Sequence, residues 1–197
     1  MDTQPVANYF RSCLSIDTQG LVDRSRIHVV WGMSKDFGAN GLRLGAIVTQ
    51  ENPTLQAAIV PASLYSTVSS ISDHVSARIL EDKAWVQAYA SKNRSRLSER
   101  YKFITAWARE NGIRYAPGVN AAFFLWVDLG TAYRSRKSKE QTDSIDNEVM
   151  TALLDKKVFL ASGKAFGSEW PGWFRIVFAH DVDYLNEGLE RVLQALA

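Results

Sequence analysis

The sequence predicts an α/β segment followed by an α+β domain, and three features of its pattern carry that reading. Two short apolar runs, Ile27-His28-Val29-Val30-Trp31 and Leu42 to Thr49, flank a glycine-rich connection, as a pair of buried strands would. A long helical pattern from Lys83 to Asn111 keeps Leu97, Tyr101, Ile104 and Ala108 on one face and stops at Gly112, a residue suited to a helix C-terminus. From that helix onward the elements read helix, strand, helix, strand, strand, helix, the order of an α+β domain.

Each element has its own local reason. Residues 1–20 have weak periodicity and read as a loop or short helix. Asn52 is a cap and Pro53 a first helical residue, so a helix runs through Leu55, Ala58 and Ile59. Ser63 to Ser72 is rich in small polar residues and reads as a break, with helix resuming near Asp73. Ala122, Phe124, Trp126 and Asp128 alternate with Phe123, Leu125, Val127 and Leu129, so this strand is expected to be covered on both faces. The basic, hydroxyl-rich stretch Tyr133 to Thr142 reads as an exposed loop. Ile145, Val149, Ala152 and Leu153 define a short amphipathic helix, Val158 to Leu160 a short strand and Trp173 to Ala179 another. Leu185, Leu189, Val192, Leu193 and Leu196 line a terminal helix with Asp183 near its start. The boundary between the two parts, 1–95 and 96–197, falls inside the long helix.

Composition narrows the classes of function. A hydrophobic fraction of 46% with 22% charged residues suits a folded globular chain. A formal net charge of +2 gives no argument for nucleic acid or for an anionic membrane surface. The single cysteine, Cys13, cannot close an internal disulfide. No apolar run is long enough to span a bilayer and residues 1–20 lack the pattern of a secretory leader, so a cytoplasmic location is expected. His28, His74 and His180 are far apart and lack metal-ligand spacing, so no metal is expected. The glycine series from Gly38 to Gly45 is not a dinucleotide or P-loop fingerprint, and core positions are expected for Trp126, Trp170 and Trp173.

The chemistry-bearing candidates are Lys35, Arg43 and Arg175. Lys35 lies just after an apolar run, and Arg43 follows between glycines at 41 and 45. An amine with a nearby guanidinium fork on a glycine-rich loop suits a carbonyl cofactor and its phosphate, although most such loops are simply solvated. In the strand Trp173 to Ala179, Phe174, Ile176 and Phe178 share one face while Trp173, Arg175 and Val177 share the other. An arginine in that setting needs an anionic partner, either an Asp or Glu of the chain or the carboxylate of a ligand.

The segment Gly32-Met33-Ser34-Lys35-Asp36-Phe37-Gly38-Ala39-Asn40-Gly41-Leu42-Arg43-Leu44-Gly45 resembles the pyridoxal-phosphate lysine motif of the class I/II aminotransferases, most nearly the 1-aminocyclopropane-1-carboxylate (ACC) synthase-like branch. Pro171 to Ala179 is similar to that family's C-terminal segment, and Gly112-Ile113 through Asn120 to Leu129 to the start of its small domain. The resemblance implies fold type I, with 1–95 the C-terminal part of the large domain and 96–197 the small domain. It implies a Schiff base from Lys35 to pyridoxal 5'-phosphate, a phosphate contact from Arg43 and a grip by Arg175 on the α-carboxylate of an amino-acid substrate. Transamination, ACC synthase-like elimination and carbon–sulfur lyase elimination share their first steps and stay open. Relatives are expected to be homodimers with sites at the subunit interface. The chain departs from the pattern at Gly32, where many relatives carry a phosphate-binding serine, and in length, since it matches only the C-terminal half of such enzymes. A truncated enzyme with at most trace activity is therefore expected; an inactive fragment or interaction module is the alternative.

Overall fold

The structure is a computed structural model, and residues 10–137 and 144–197 are the described part of it. The chain divides into two compact units, residues 1–91 and 92–197.

In the first unit, strand β1 (His28–Gly32) pairs antiparallel with β2 (Gly45–Thr49), with Trp31 opposite Ala46 and Gly32 opposite Gly45. Their connection holds the single helical turn α1 (Met33–Asp36) and a 3-10 turn, Asn40–Leu42, so the second strand starts three residues later than its apolar run suggests. Helix α2 (Pro53–Tyr65) begins as its sequence dictates, with the Leu55 N–H donating to Asn52 Oδ1 at 2.7 Å. The break after it is short, because α3 (Ser70–Glu81) starts three residues ahead of Asp73. Near the N-terminus, Cys13–Ser15 forms a 3-10 turn and Cys13 is exposed; residues 1–9 lie outside the described part.

The expectation that both strands are buried is not met. Val29 and Trp31 are half-buried, but Val30 is 79% exposed and Ile47 51%. A ladder of two strands has no second layer of its own to bury against, so apolar content alone cannot make it a core. Helix α2 behaves the same way, leaving Val60, Leu64 and Tyr65 exposed.

Helix α4 (Lys83–Glu110) runs from the first unit into the second and ends where Gly112 takes a positive φ of 64°. The Gly112 N–H donates to the Arg109 carbonyl and the Ile113 N–H to the Ala108 carbonyl, the paired bonds of a Schellman cap, with Ala108 and Ile113 both buried.

The second unit is a four-stranded antiparallel sheet in the order β3-β4-β6-β5: β3 (Arg114–Tyr115), β4 (Phe124–Asp128), β5 (Ala161–Ser162) and β6 (Trp173–Val177). Leu125, Val127, Phe174, Ile176 and Phe178 form one core with α4 and with the helices α5 (Leu129–Lys137), α6 (Ile145–Asp155) and α7 (Val182–Leu196). Along α7 the buried Leu185, Leu189, Val192 and Leu196 fall on one face, as their spacing requires. Strand β4 is sealed on one face only: Leu125 and Val127 are buried, whereas Phe124 and Trp126 are half-buried.

Two local expectations are corrected in this unit. Tyr133 to Lys137 is helix rather than loop, because Leu129, Ala132 and Tyr133 bury one side of α5 and Asp128 caps its start, accepting from the Thr131 N–H at 2.9 Å. The remainder of that stretch, 138–142, lies outside the described residues. Val158 to Leu160 is not a strand; the ladder to β6 forms one step later, at Ala161 and Ser162.

Gly130 and Gly172 hold the β4–α5 junction against the start of β6. The Gly130 N–H donates to the Gly172 carbonyl at 2.8 Å, and a Cβ on Gly130 would lie 2.6 Å from the Gly172 Cα. Gly130→Ala is therefore expected to cost about 1–3 kcal/mol, seen as a lower urea midpoint at unchanged slope. An unshifted midpoint would show that the junction yields without cost.

Candidate active site

The sequence-predicted residues fall in separate units: Lys35 and Arg43 in the first and Arg175 in the second. Lys35 is the third residue of α1, immediately beyond the last ladder pair of the hairpin. The chain must leave β1 closely against β2, since the Met33 N–H donates to the Leu44 carbonyl at 3.2 Å. A Cβ on Gly32 would sit 3.2 Å from that same carbonyl oxygen, so the glycine that stands where the resemblance expects a serine also suits the tight exit.

Arg43 ends the same connection in a left-handed backbone conformation, φ 51° and ψ 39°, uncommon for a residue with a side chain. Its Nη1 donates to the Asn40 carbonyl at 3.2 Å across the 3-10 turn. Lys35 and Arg43 are both exposed. An amine and a guanidinium on one loop are the right donor types for the carbonyl and the phosphate of pyridoxal phosphate, but their exposure means that this part of the chain does not enclose such a group.

Arg175 is built differently. In the ladder it pairs with Trp126 of β4 and with Ala161 of β5, on the sheet face opposite the buried Phe174 and Ile176. Its guanidinium carbon lies 4.3 Å from the ring centroid of Phe124 and 4.3 Å from that of Phe166, within cation–π range of each. Phe124 reaches it as the diagonal neighbour across the ladder. Phe166 comes from the 3-10 turn Gly163–Phe166 and meets Trp126 edge-on at 6.0 Å.

The sequence allowed for an Asp or Glu partner, and the structure corrects that: among the described residues no carboxylate pairs with Arg175. Its Nε is buried without any hydrogen-bond partner. Two aromatic faces compensate the charge but offer no acceptor to this N–H donor. An unmet donor on a guanidinium, beside a cavity of about 300 Å³ that Arg175 also lines, fits a carboxylate held by parallel hydrogen bonds.

The sequence reading missed the aromatic partners of this arginine, and it misjudged the tryptophans. Trp170 is 70% exposed, and Trp126 and Trp173 are half-buried rather than core. Phe124 was visible as the residue two places from Trp126 on one strand face; Phe166 had no local signal. Among the described residues no group of three or more His, Cys, Asp or Glu could hold a metal ion, and no helix is long and apolar enough to cross a membrane.

Comparison with known proteins gives a consistent answer. Residues 7–192 match the profile of the class I and II aminotransferases. The chain is 37% identical to 1-aminocyclopropane-1-carboxylate synthase-like protein 1 of Homo sapiens, over 95% of this chain and 36% of that protein. It is 35% identical to the Mus musculus protein named "Probable inactive 1-aminocyclopropane-1-carboxylate synthase-like protein 2", over 95% of this chain and 31% of the other. The chain thus spans about a third of the length of these curated relatives. Among solved structures, the aromatic aminotransferase from Pyrococcus horikoshii OT3 superposes with a TM-score of 0.70 over 88% of this chain and 43% of its own, at 23% identity.

Arg175 generates a stability prediction that separates a binding role from a structural one. Arg175→Met keeps the aliphatic stem between the two rings and removes the unsatisfied donor, so the variant is expected to be as stable as the natural chain or more stable, by about 0–2 kcal/mol. Chemical denaturation measures it. A loss larger than about 2 kcal/mol would show that the charge stabilises the fold and is not held in reserve for a ligand.

Proposed function

The chain belongs to the class I and II aminotransferase family, and from that premise we propose that it supplies the lysine, the phosphate-binding arginine and the substrate arginine of a pyridoxal-phosphate-dependent enzyme acting on an amino acid. In this reading residues 1–95 are the end of the large domain and 96–197 the small domain. The observation that carries it is Arg175: a guanidinium with a buried, unpartnered Nε, on the strand that follows Lys35 and Arg43 in the family's order.

Pyridoxal phosphate, when bound, supplies an electron sink for a carbanion at the substrate Cα. The rest falls to the protein. Arg175 Nε and Nη hold the substrate carboxylate in a fixed plane, which the flanking rings of Phe124 and Phe166 define. Lys35 Nζ, once neutral, takes the Cα proton and can return it elsewhere, the general-base step that transamination and both eliminations share. Arg43 would bind the cofactor phosphate through its planar fork. ACC synthase-like and carbon–sulfur lyase eliminations are kept as alternative chemistries, because these residues serve all of them alike.

A second reading, an inactive module that keeps the fold, has its own support: Lys35 and Arg43 are exposed, and Val30 and Ile47 leave the hairpin between them uncovered. Such a surface needs a further layer, from another stretch of polypeptide or from a second copy in a homodimer.

The experiment is to incubate the 197-residue chain with pyridoxal phosphate, reduce with borohydride and map the attachment site by mass spectrometry. Attachment at Lys35 is expected only at high cofactor concentration, with at most trace transaminase or lyase turnover. Adding the N-terminal half of a close relative should raise apparent affinity by about 100-fold or more, since each restored charge-assisted contact contributes roughly 1.5–3 kcal/mol. Attachment spread evenly over the lysines would remove the role of Lys35. Robust turnover by the chain alone, lost in Lys35→Ala, would overturn the expectation of trace activity.

A further inference from the structure

Of the two rings on Arg175, Phe124 belongs to a paired strand, whereas Phe166 belongs to the segment 163–172, which leaves the sheet after β5 and returns at β6. Its placement needs a cause of its own. Strand β5 lies at the sheet edge and is only two residues long, so the ladder to β6 gives this segment a weak base. The segment is braced internally. The Ser168 N–H donates to the Gly163 carbonyl at 3.0 Å, and the Ser168 Oγ donates to the Trp170 carbonyl at 3.0 Å. A Cβ on Gly163 would lie 2.9 Å from both the Ser168 Cβ and the Trp173 carbonyl oxygen, so the backbone passes closely there.

One carboxylate ties this braced segment to the helical layer. Asp146 stands in the first turn of α6, beside the buried Ile145. Its Oδ1 accepts from the Ser162 Oγ at 3.0 Å and from the Gly172 N–H at 3.3 Å, the residues at the two ends of the segment. Ser162 Oγ in turn accepts from the Lys164 N–H at 3.2 Å, capping the 3-10 turn that ends in Phe166. Gly172 is held on its other side, where its carbonyl accepts from the Gly130 N–H at 2.8 Å. Contacts thus run from α6 through Asp146 and Ser162 to the Phe166 ring, whose centroid is 4.3 Å from the guanidinium carbon.

We propose that Asp146 and Ser162 are positioning residues for Arg175, anchoring the 163–172 segment so that Phe166 holds the guanidinium in place before a carboxylate ligand arrives. A long side chain that is ordered in advance loses less rotamer freedom on binding, and stacked rings order it without occupying its hydrogen-bond donors. With the anchor gone, Phe166 withdraws, Arg175 gains rotamers and its buried Nε meets water. The proposal rests on the reading of Arg175 as the substrate arginine.

The test uses the whole chain without ligand and follows the Nε–H signal of Arg175 by nitrogen-15 NMR, identified by its loss in Arg175→Lys. Its exchange with water is measured relative to the amide of Leu189, a buried residue of α7 in the same unit. Asp146→Ala is expected to raise that ratio by roughly tenfold, what the loss of ordinary hydrogen bonds supplies. Asp146→Asn keeps an acceptor oxygen and should stay within about twofold of the natural chain. Phe166→Leu should raise the ratio as Asp146→Ala does, and combining the two should add nothing, because the carboxylate acts through that ring. An unchanged ratio in Asp146→Ala, equal acceleration of Arg175 and Leu189, or effects that add in the double variant each overturn the proposal. Should Asp146→Ala fail to fold by circular dichroism, Ser162→Ala replaces it, with a ratio raised by about threefold expected and an unchanged ratio overturning the anchor. Failure of acetate to shift the Arg175 signal counts against the substrate-arginine reading, whereas the ligand-free exchange rates decide the anchor.

Discussion

The register of β4 against β6 is the constraint on which the second unit and its arginine depend. Val127 lies opposite Phe174 and Leu125 opposite Ile176, and all four face the helices. Because side chains alternate in a strand, burying Phe174 and Ile176 forces Arg175 and Trp126 onto the other face, and a one-residue slip would bury the charge. The same register brings Phe124 within reach of the guanidinium. Position of the arginine is thus a by-product of packing the core. Asp128, at the end of β4, extends this logic: it is buried, pairs with Arg114 of β3 and caps α5, so one carboxylate joins strand pairing to the helix that covers it.

The two units illustrate different amounts of closure. The second buries a single cluster drawn from every layer, and its terminal helix is amphipathic in the ordinary way. The first presents apolar strands and an apolar helix to solvent, with Val30, Ile47, Val60 and Leu64 all exposed. Parallel or mixed sheets of α/β folds bury strands by covering both faces, and a two-stranded ladder cannot do so unaided. Relatives roughly three times longer than this chain have the polypeptide to do it. Lys35 and Arg43, in the connection between those two strands, are exposed as well.

The two halves of the candidate chemistry are held by aromatic rings in contrasting ways. Around Arg175 the rings stack on the charge itself, leaving its donors without a protein acceptor. Near Lys35 they stack on Phe37, two residues further on, and the lysine is exposed. The arrangement around Arg175 orients a cation without satisfying its Nε, which suits a group whose partner arrives as a ligand. The high aromatic content of this chain, 11% of its residues, is spent in part on these two supports.

Much of this organisation was legible in the residues alone where the determining physics is local. Gly112 ends α4 because only a residue tolerant of positive φ closes a Schellman cap, and Asn52-Pro53 opens α2 for equally local reasons. Period-two alternation put Phe174 and Ile176 on one strand face and Arg175 on the other, and the succession of Lys35, Arg43 and Arg175 pointed to the family; which face is the core came from the structure. Tertiary structure decided what each face meets. That Arg175 is sandwiched by Phe124 and Phe166 rather than paired with a carboxylate depends on a turn that follows β5, far from β4 in sequence. That Tyr133 continues a helix depends on a core provided by α6 and α7, which its basic neighbours disguise. Exposure of β1 and β2 depends on the absence of a covering layer among the described residues of their own unit, and apolar composition is the same whether or not that layer is present. Local pattern sets backbone conformation and facing, because those are fixed within a few residues; contact partners are set by register and packing across the chain, which no short segment contains.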